Sequence, residues 1–248
     1  MKVLAIDSSG LVASVAVVED ENLLAQYTIH YKKTHSQTLL PMLDEITRMT
    51  EMDLATIDAI AIAAGPGSFT GLRIGSATAK GLGLALKKPI VEIPTTEAMA
   101  YGLYGVSRHI CPIMDARREQ VYTGIYSFEE KEGKSVFQII KKQCAMSISE
   151  LAEVLNQENR PVIFTGDGIP VYREKLETLL QVPYEFAPAC CNRQNAASVG
   201  VLALAYMEEG KIVDAAGHRP DYLGLSQAER ELQEKEILQE KEIQQESK

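Results

Sequence analysis

The order of apolar runs along this chain is written twice, and that repetition restricts the fold more than any single motif. Residues 3–6, 12–18 and 23–29 are short, partly β-branched runs separated by the turn clusters Ser8-Ser9-Gly10 and Asp20-Glu21-Asn22, which predicts a three-stranded antiparallel meander. A helix is expected over residues 36–49, with Leu39, Leu40, Leu43, Ile46 and Met49 on one broad face and Pro41 near its start. A strand at 57–64, a helix at 72–86, a strand at 90–93 and a helix at 96–106 complete the first set. The second set keeps the order. Its strands fall at 110–114, 121–128 and 136–140, followed by a helix capped by Ser147 or Ser149 and running to Asn156. A strand at 162–165, a helix at 171–180, a short strand at 184–186 and a helix at 196–209 complete it.

Each set reads βββαβαβα. That unit resembles the ribonuclease-H-like half, and two in tandem resemble the α/β fold shared by actin, sugar kinases and Hsp70. Residues 1–106 and 107–225 are the expected halves. Element order constrains function weakly, but it says where a ligand would sit. The cleft between halves would be lined by Asp7-Ser8-Ser9, Asp115-Ala116-Arg117 and Gly166-Asp167-Gly168. Residues 226–248 stand apart: they lack Gly, Pro and aromatics and contain Leu-Gln-Glu-Lys-Glu-Ile twice in succession. A six-residue period keeps no apolar seam on a helix, so a charged extension, helical or disordered, is expected rather than a coiled coil.

Bulk properties exclude several classes. A net charge of −9 argues against an autonomous nucleic-acid binder. No apolar run approaches the ~18 residues that span a bilayer, and Asp7 interrupts the first apolar run too early for a signal peptide, so a cytoplasmic protein is expected. The four cysteines, Cys111, Cys144, Cys190 and Cys191, form no Cys-x-x-Cys pair and read as reduced thiols.

The stretch from Gly65 to Gly75 reads Gly-Pro-Gly-Ser-Phe-Thr-Gly-Leu-Arg-Ile-Gly, between a strand and a helix. A helix N-terminus in that context can hold an anion. No Gly-Lys-Ser/Thr ends the loop, and Gly65, Gly67 and Gly71 miss the dinucleotide spacing. Ser68 is outside any Gly-x-Ser-x-Gly elbow and is expected to cap the next helix. Asp7 with small Ser8 and Ser9 suits either a hairpin turn or the magnesium and phosphate approach of the ATPases of this fold. In 115–122, Asp115 or Glu119 can hold the turn through an arginine, or an arginine can face the cleft. The four histidines, His30, His35, His109 and His218, form no His-x-x-x-His or His-Glu-x-x-His motif. In the helix after the loop, Gly75, Ala79 and Gly83 are spaced by four, as are Ala77, Gly81 and Ala85. Such rows admit close approach by the chain's own sheet or by a helix of another subunit.

Five strings occur in one order: Leu4-Ala5-Ile6-Asp7-Ser8-Ser9, His35-Ser36-Gln37-Thr38-Leu39-Leu40-Pro41, Gly65 to Gly75 followed by Ala79-Lys80-Gly81, Asp115-Ala116-Arg117, and Pro220-Asp221-Tyr222-Leu223. From Lys2 to about Leu223 the chain thereby resembles the TsaB (YeaZ) family of bacterial tRNA threonylcarbamoyladenosine biosynthesis proteins. The glycine-rich string is the specific part. The resemblance implies a non-catalytic partner of TsaD, the paralogue that transfers threonylcarbamoyl to the adenosine beside the anticodon, in an assembly with the ATPase TsaE. It implies tRNA contact only through that complex. No cofactor is expected on this chain alone; ATP or ADP and a TsaD-bound metal belong to the complex. TsaD carries a His-x-x-x-His pair where this chain has Glu92 to Ala100 without histidine. The family docks through the two helices of its first half, on TsaD or on a second copy of itself. That maps onto Leu39, Leu40, Leu43, Ile46, Phe69, Leu72, Gly75, Ala79 and Gly83. On that reading, Gly75→Leu or Gly83→Leu should block docking. The alternatives are an actin-fold ATPase or small-molecule kinase using Asp7, Ser8, Ser9 and Asp115, and an M22-like metalloprotease, which the histidine pattern does not support.

Overall fold

The computed structural model describes residues 1–31 and 34–223; the expectation for residues 226–248 lies outside them. Among the described residues, ten strands form two five-stranded sheets, β3-β2-β1-β4-β5 and β10-β9-β6-β7-β8. In the first, β1 (Lys2–Asp7) pairs antiparallel with β2 (Ala13–Glu19), which pairs with β3 (Asn22–Ile29). On its other side β1 pairs parallel with β4 (Ala59–Gly65), which pairs with β5 (Ile90–Pro94). The second sheet repeats this about β6 (His109–Asp115), with β7 (Gln120–Lys131) and β8 (Lys134–Ser147) antiparallel on one side. On the other side β9 (Val162–Thr165) and β10 (Tyr184–Phe186) run parallel. This is the doubled architecture of the actin, sugar-kinase and Hsp70 fold.

Strand periodicity sorts the side chains of the first sheet. Leu4, Ile6, Ile60 and Ile62 face α1 (His35–Met49) and α2 (Phe69–Leu86). Val3, Ala5, Ala61 and Ala63 face the other way, toward α3 (Thr95–Tyr101) and α6 (Ala196–Glu208). The smaller face lets α6 come close: a Cβ on Gly200 would press on Val18 and Ala5. In the second half, α4 (Ile148–Glu158) and α5 (Ile169–Leu179) cover one face through Leu151, Leu155 and Leu176. The other face meets α3, through Ala100 against Ile110 and Tyr126. Helix α3 therefore packs between the two sheets, and α6, the last helix among the described residues, packs on the first.

Several boundaries move for local reasons. The β7–β8 hairpin is longer than expected because its outer rungs, down to Lys131↔Lys134, are polar and carry no apolar signal. Its turn places Glu132 (φ 53°) and Gly133 (φ 75°) in the left-handed region that hairpin loops use. Helix α2 starts at Phe69, where the Ser68 hydroxyl accepts from the Gly71 N–H at 3.3 Å. Ser147, not Ser149, caps α4, in a reciprocal capping box with Glu150. Pro41 lies inside α1 rather than near its start.

After α6 the chain returns along the first half as a strap. Val213 exchanges two 2.9 Å backbone hydrogen bonds with Ile90. Lys80 Nζ donates to the carbonyls of Ala216 and His218, at 3.0 and 3.2 Å. The Asp221 N–H donates to Ala64 O at 2.7 Å, and the Tyr222 ring stacks on Phe69 with centroids 4.2 Å apart.

Candidate functional site

The Asp7 turn is built at the end of β1 and then covered. The Ser68 N–H donates to Ser9 O at 2.7 Å, and the Ser8 hydroxyl donates to Gly71 O at 2.9 Å. Side chains cannot replace the glycines there: a Cβ on Gly67 would collide with Ser9 O, and one on Gly71 with Ser8 O. Gly65 is held at φ +136° with the Asp221 carbonyl against it. The loop that looked like a phosphate cradle thus closes on the turn that would receive the phosphate. Asp7, Ser8 and Ser9 are buried; of the three, Ser9 borders the cleft between the halves, and Asp7 and Ser8, expected there too, lie beneath the loop. Asp7 Oδ1 accepts from the Ser9 N–H (3.0 Å) and hydroxyl (2.6 Å), while Oδ2 is buried with no partner. Burial pushes the Asp7 carboxyl up to about 6, against the smaller opposing pull of the Ser9 hydrogen bonds and nearby His35. The loop backbone lies against the Ser8 and Ser9 carbonyls, so Asp7 and Ser8 present no open face to a phosphate or its magnesium ion.

The matching turn of the second half is open. Asp115 is exposed; its carboxylate accepts from the Tyr172 hydroxyl (2.9 Å) and the Arg117 N–H (2.8 Å). Arg117, Arg118 and Glu119 all have positive φ, at 65°, 53° and 62°, an uncommon run for residues with side chains. Glu119 pairs with Lys175 at 2.9 Å. Asp115, Ala116, Arg117 and Asp167 line a cleft of about 400 Å³ whose other wall is Ser9, Gly67 and Phe69. Burial raises the Asp167 carboxyl above the usual range, opposed by the Asp115 N–H and Arg193. Leu223 packs with Met99, Met114, Ala116 and Tyr122, so the strap places an apolar residue among side chains lining that cleft.

The expected docking residues divide by face. Leu39, Leu43, Ile46, Leu72 and Ala79 are buried in the chain's own core against the first sheet, and Gly75 and Gly83 are buried with them. A Cβ on Gly75 would collide with the Ser8 hydroxyl, and one on Gly83 would reach Ala215 Cβ at 2.7 Å. These seven are corrected from interface to core. Phe69 is half-buried beneath Tyr222. Leu40 stays exposed, at 58%, as do Met49 and Leu84. The outward row of α2 is the other one: Ala77, Gly81 and Ala85 are exposed, and a Cβ on Gly81 would meet nothing within 4 Å. Equal spacing of the two rows hid this difference in the sequence. At the N-terminal ends of both helices, Leu11, Tyr31, Thr34, His35, Thr70 and Ile74 border a groove of about 700 Å³.

The stretch from Glu92 to Ala100 forms the end of β5 and α3, and its acids have internal partners. Glu92 Oε1 lies 2.6 Å from His218 Nδ1, and His218 Nε2 lies 2.9 Å from Ser76 Oγ. The order serine, histidine, acid is that of a hydrolase triad, but Ser76 is buried in the middle of α2 and leaves no room for an acyl group. The trio fastens the strap. Glu97, raised by burial, accepts from the Tyr206 hydroxyl at 2.6 Å. Among the described residues, no group of three or more His, Cys, Asp or Glu could hold a metal ion, and no helix is long and apolar enough to cross a membrane.

Comparison with known proteins agrees with this arrangement. A family model described as TsaD, tRNA N6-adenosine threonylcarbamoyltransferase, matches residues 22–232. The tRNA threonylcarbamoyladenosine biosynthesis protein TsaB of Bacillus subtilis (strain 168) is 32% identical over 92% of this chain and 96% of its own. The TsaB of Escherichia coli (strain K12) is 30% identical over 95% of this chain and 100% of its own. The solved structure of YeaZ from Pseudomonas aeruginosa superposes with a TM-score of 0.75 at 25% identity, covering 90% of this chain and 99% of that one. The two repeated five-stranded sheets define a member of the actin and sugar-kinase fold class, here with its Asp7 turn covered. Within that class, the chain belongs to the TsaB (YeaZ) family.

Proposed function

We propose that this chain takes part in tRNA threonylcarbamoyladenosine formation as a non-catalytic subunit that docks on and activates TsaD, in an assembly that includes TsaE. The observation that carries the docking reading is Gly81. A glycine inside a helix costs up to about 1 kcal/mol relative to alanine, and no atom of the described residues requires its missing side chain. The requirement then lies outside the chain, in a helix that must come close. Ala77 and Ala85 extend the small row, and exposed Leu84 and Leu40 offer apolar area on α2 and α1. A second copy of the chain can use the same face, giving a homodimer when TsaD is absent. The paired acids of β5 and α3 support a subunit without its own metal. The covered Asp7 turn supports one that binds no nucleotide alone, with ATP or ADP and the TsaD metal belonging to the complex. Contact with tRNA is then indirect, in the cytoplasm.

Gly81→Leu tests the docking face. The variant is expected to keep the wild-type melting temperature or exceed it, and to lose at least tenfold in affinity for purified TsaD by calorimetry. Unchanged affinity would place docking elsewhere. Threonylcarbamoyl transfer by TsaD that does not depend on adding this chain would remove the activating role itself.

A further inference from the structure

The loop from β10 to α6 carries two adjacent thiols that the docking role does not use. Cys190 is exposed and Cys191 half-buried, with their sulfur atoms 3.9 Å apart. The other two cysteines are of a different kind: Cys111 is buried, its thiol pushed up to about 12 by desolvation, and half-buried Cys144 is raised by the same cause. A turn sets the pair in place, with the Cys191 N–H donating to Pro188 O at 3.0 Å. The next carbonyls along the chain are occupied. Cys191 O accepts from the Thr165 hydroxyl at 3.0 Å, and Asn192 O accepts from the Gly166 N–H at 3.2 Å and from Arg193 at 2.8 Å. Arg193 also donates to Gly166 O at 3.2 Å. The backbone beside the two sulfurs therefore holds the Gly166-Asp167-Gly168 turn, and Asp167 borders the cleft.

We propose that Cys190 and Cys191 are a reversible oxidation site that closes to a vicinal disulfide on reaction with a hydroperoxide. The exposed Cys190 sulfur, as thiolate, attacks one peroxide oxygen. The O–O bond breaks, leaving a sulfenic acid on Cys190 and a hydroxide that takes up a proton. The Cys191 sulfur, its proton passing to solvent, then attacks the Cys190 sulfur. The S–S bond forms, the S–O bond breaks, and the departing oxygen leaves as water. In sum, two thiols and one hydrogen peroxide give one disulfide and two waters.

Geometry decides what kind of disulfide this is. Consecutive Cα atoms lie about 3.8 Å apart across a trans peptide, below the roughly 4.4–6.8 Å of ordinary disulfides, so the ring is strained and readily reduced. Strained, exposed disulfides are the labile ones. The site is therefore reset by thiols rather than serving as a permanent crosslink, and its closure turns the peptide whose next carbonyl holds Thr165.

The test uses the full chain treated with a few equivalents of hydrogen peroxide, then digested with trypsin without reduction. The peptide spanning residues 176–193 contains both thiols and no other cysteine. It is expected to lose about 2 Da, to resist alkylation, and to recover both properties with dithiothreitol. Cys191→Ser is expected to show no such loss at the same dose and to accumulate oxygen on Cys190 instead. Independent oxygen addition at both wild-type sulfurs, or crosslinking between copies in place of the internal bond, would overturn the proposal. Hydrogen exchange at the Gly166 N–H is expected to be several-fold faster in the oxidised chain. Equal exchange in both forms would overturn the link between the sulfurs and the turn.

Discussion

The two halves carry the same hairpin turn at the same topological place and treat it oppositely. After β1, Asp7 is roofed by the glycine loop and left with one buried oxygen unpartnered. After β6, Asp115 is exposed, tied to Tyr172 and to its own backbone, and borders an open cleft. The difference lies in the loop after the fourth strand of each half. In the first it is Gly67-Ser68-Phe69-Thr70-Gly71, whose glycines press on the Ser8 and Ser9 carbonyls of the turn itself; in the second it is Gly166-Asp167-Gly168, whose glycines press on the Ile113 carbonyl within β6, before the turn, and leave Asp115 exposed. A shared fold thus fixes where a site would sit, and a few loop residues decide whether anything can enter it.

The largest effect expected to break the contrast is Gly75→Leu. Its side chain would enter the Ser8 hydroxyl and Ile62, overpacking the closed turn at a cost of about 3 kcal/mol. Urea denaturation measures this, and a cost within 0.5 kcal/mol, about that of a surface change, would mean the turn is loosely covered.

Asp7→Asn comes next. Burial raises the native carboxyl from 3.8 to about 6, so the fold favours the protonated acid. Its favourable contribution is complete below pH 4 and is lost as pH rises through about 6. The asparagine variant lacks that loss. Relative to wild type it should gain on the order of 2–3 kcal/mol between pH 4 and pH 8. A flat difference across that range, followed by thermal unfolding, would place water at Asp7.

Smaller again is Tyr222→Ala, which removes the stack on Phe69 and loosens Leu223 beside the cleft. A loss of about 1 kcal/mol is expected, with proteolysis near residue 219 measurably faster. Gly81→Ala should have the least effect and the opposite sign, stabilising by up to about 1 kcal/mol because the position is exposed and helical. The same change at Gly83, against Ala215, should destabilise; equal effects at both would erase the division of α2 into an inner and an outer row.

Periodicity made most of the elements legible, since each half pairs period-two strands with amphipathic helices. Three features escaped it for physical reasons. The covering of Asp7 depends on a loop some sixty positions later in the chain, and no local pattern reports that a carboxylate will be roofed. The two rows of α2 share composition and spacing, so only the position of the sheet distinguishes Gly83 from Gly81. The strap has neither helical nor strand periodicity. Its contacts are isolated backbone hydrogen bonds at Val213 and Asp221 and single side chains such as His218 and Tyr222, each meeting a partner far away in sequence.

Helix α6 covers the small-residue face of the first sheet, where Val199, Leu202 and Ala203 meet Val3, Ala5 and Ala61. During synthesis that cover leaves the ribosome only after the sheet of the second half. The opening hundred residues therefore cannot finish folding when they emerge, and one apolar face of their sheet must wait, bare, until the second half has been made. A nascent chain stalled before α6 should be the form that chaperones hold longest.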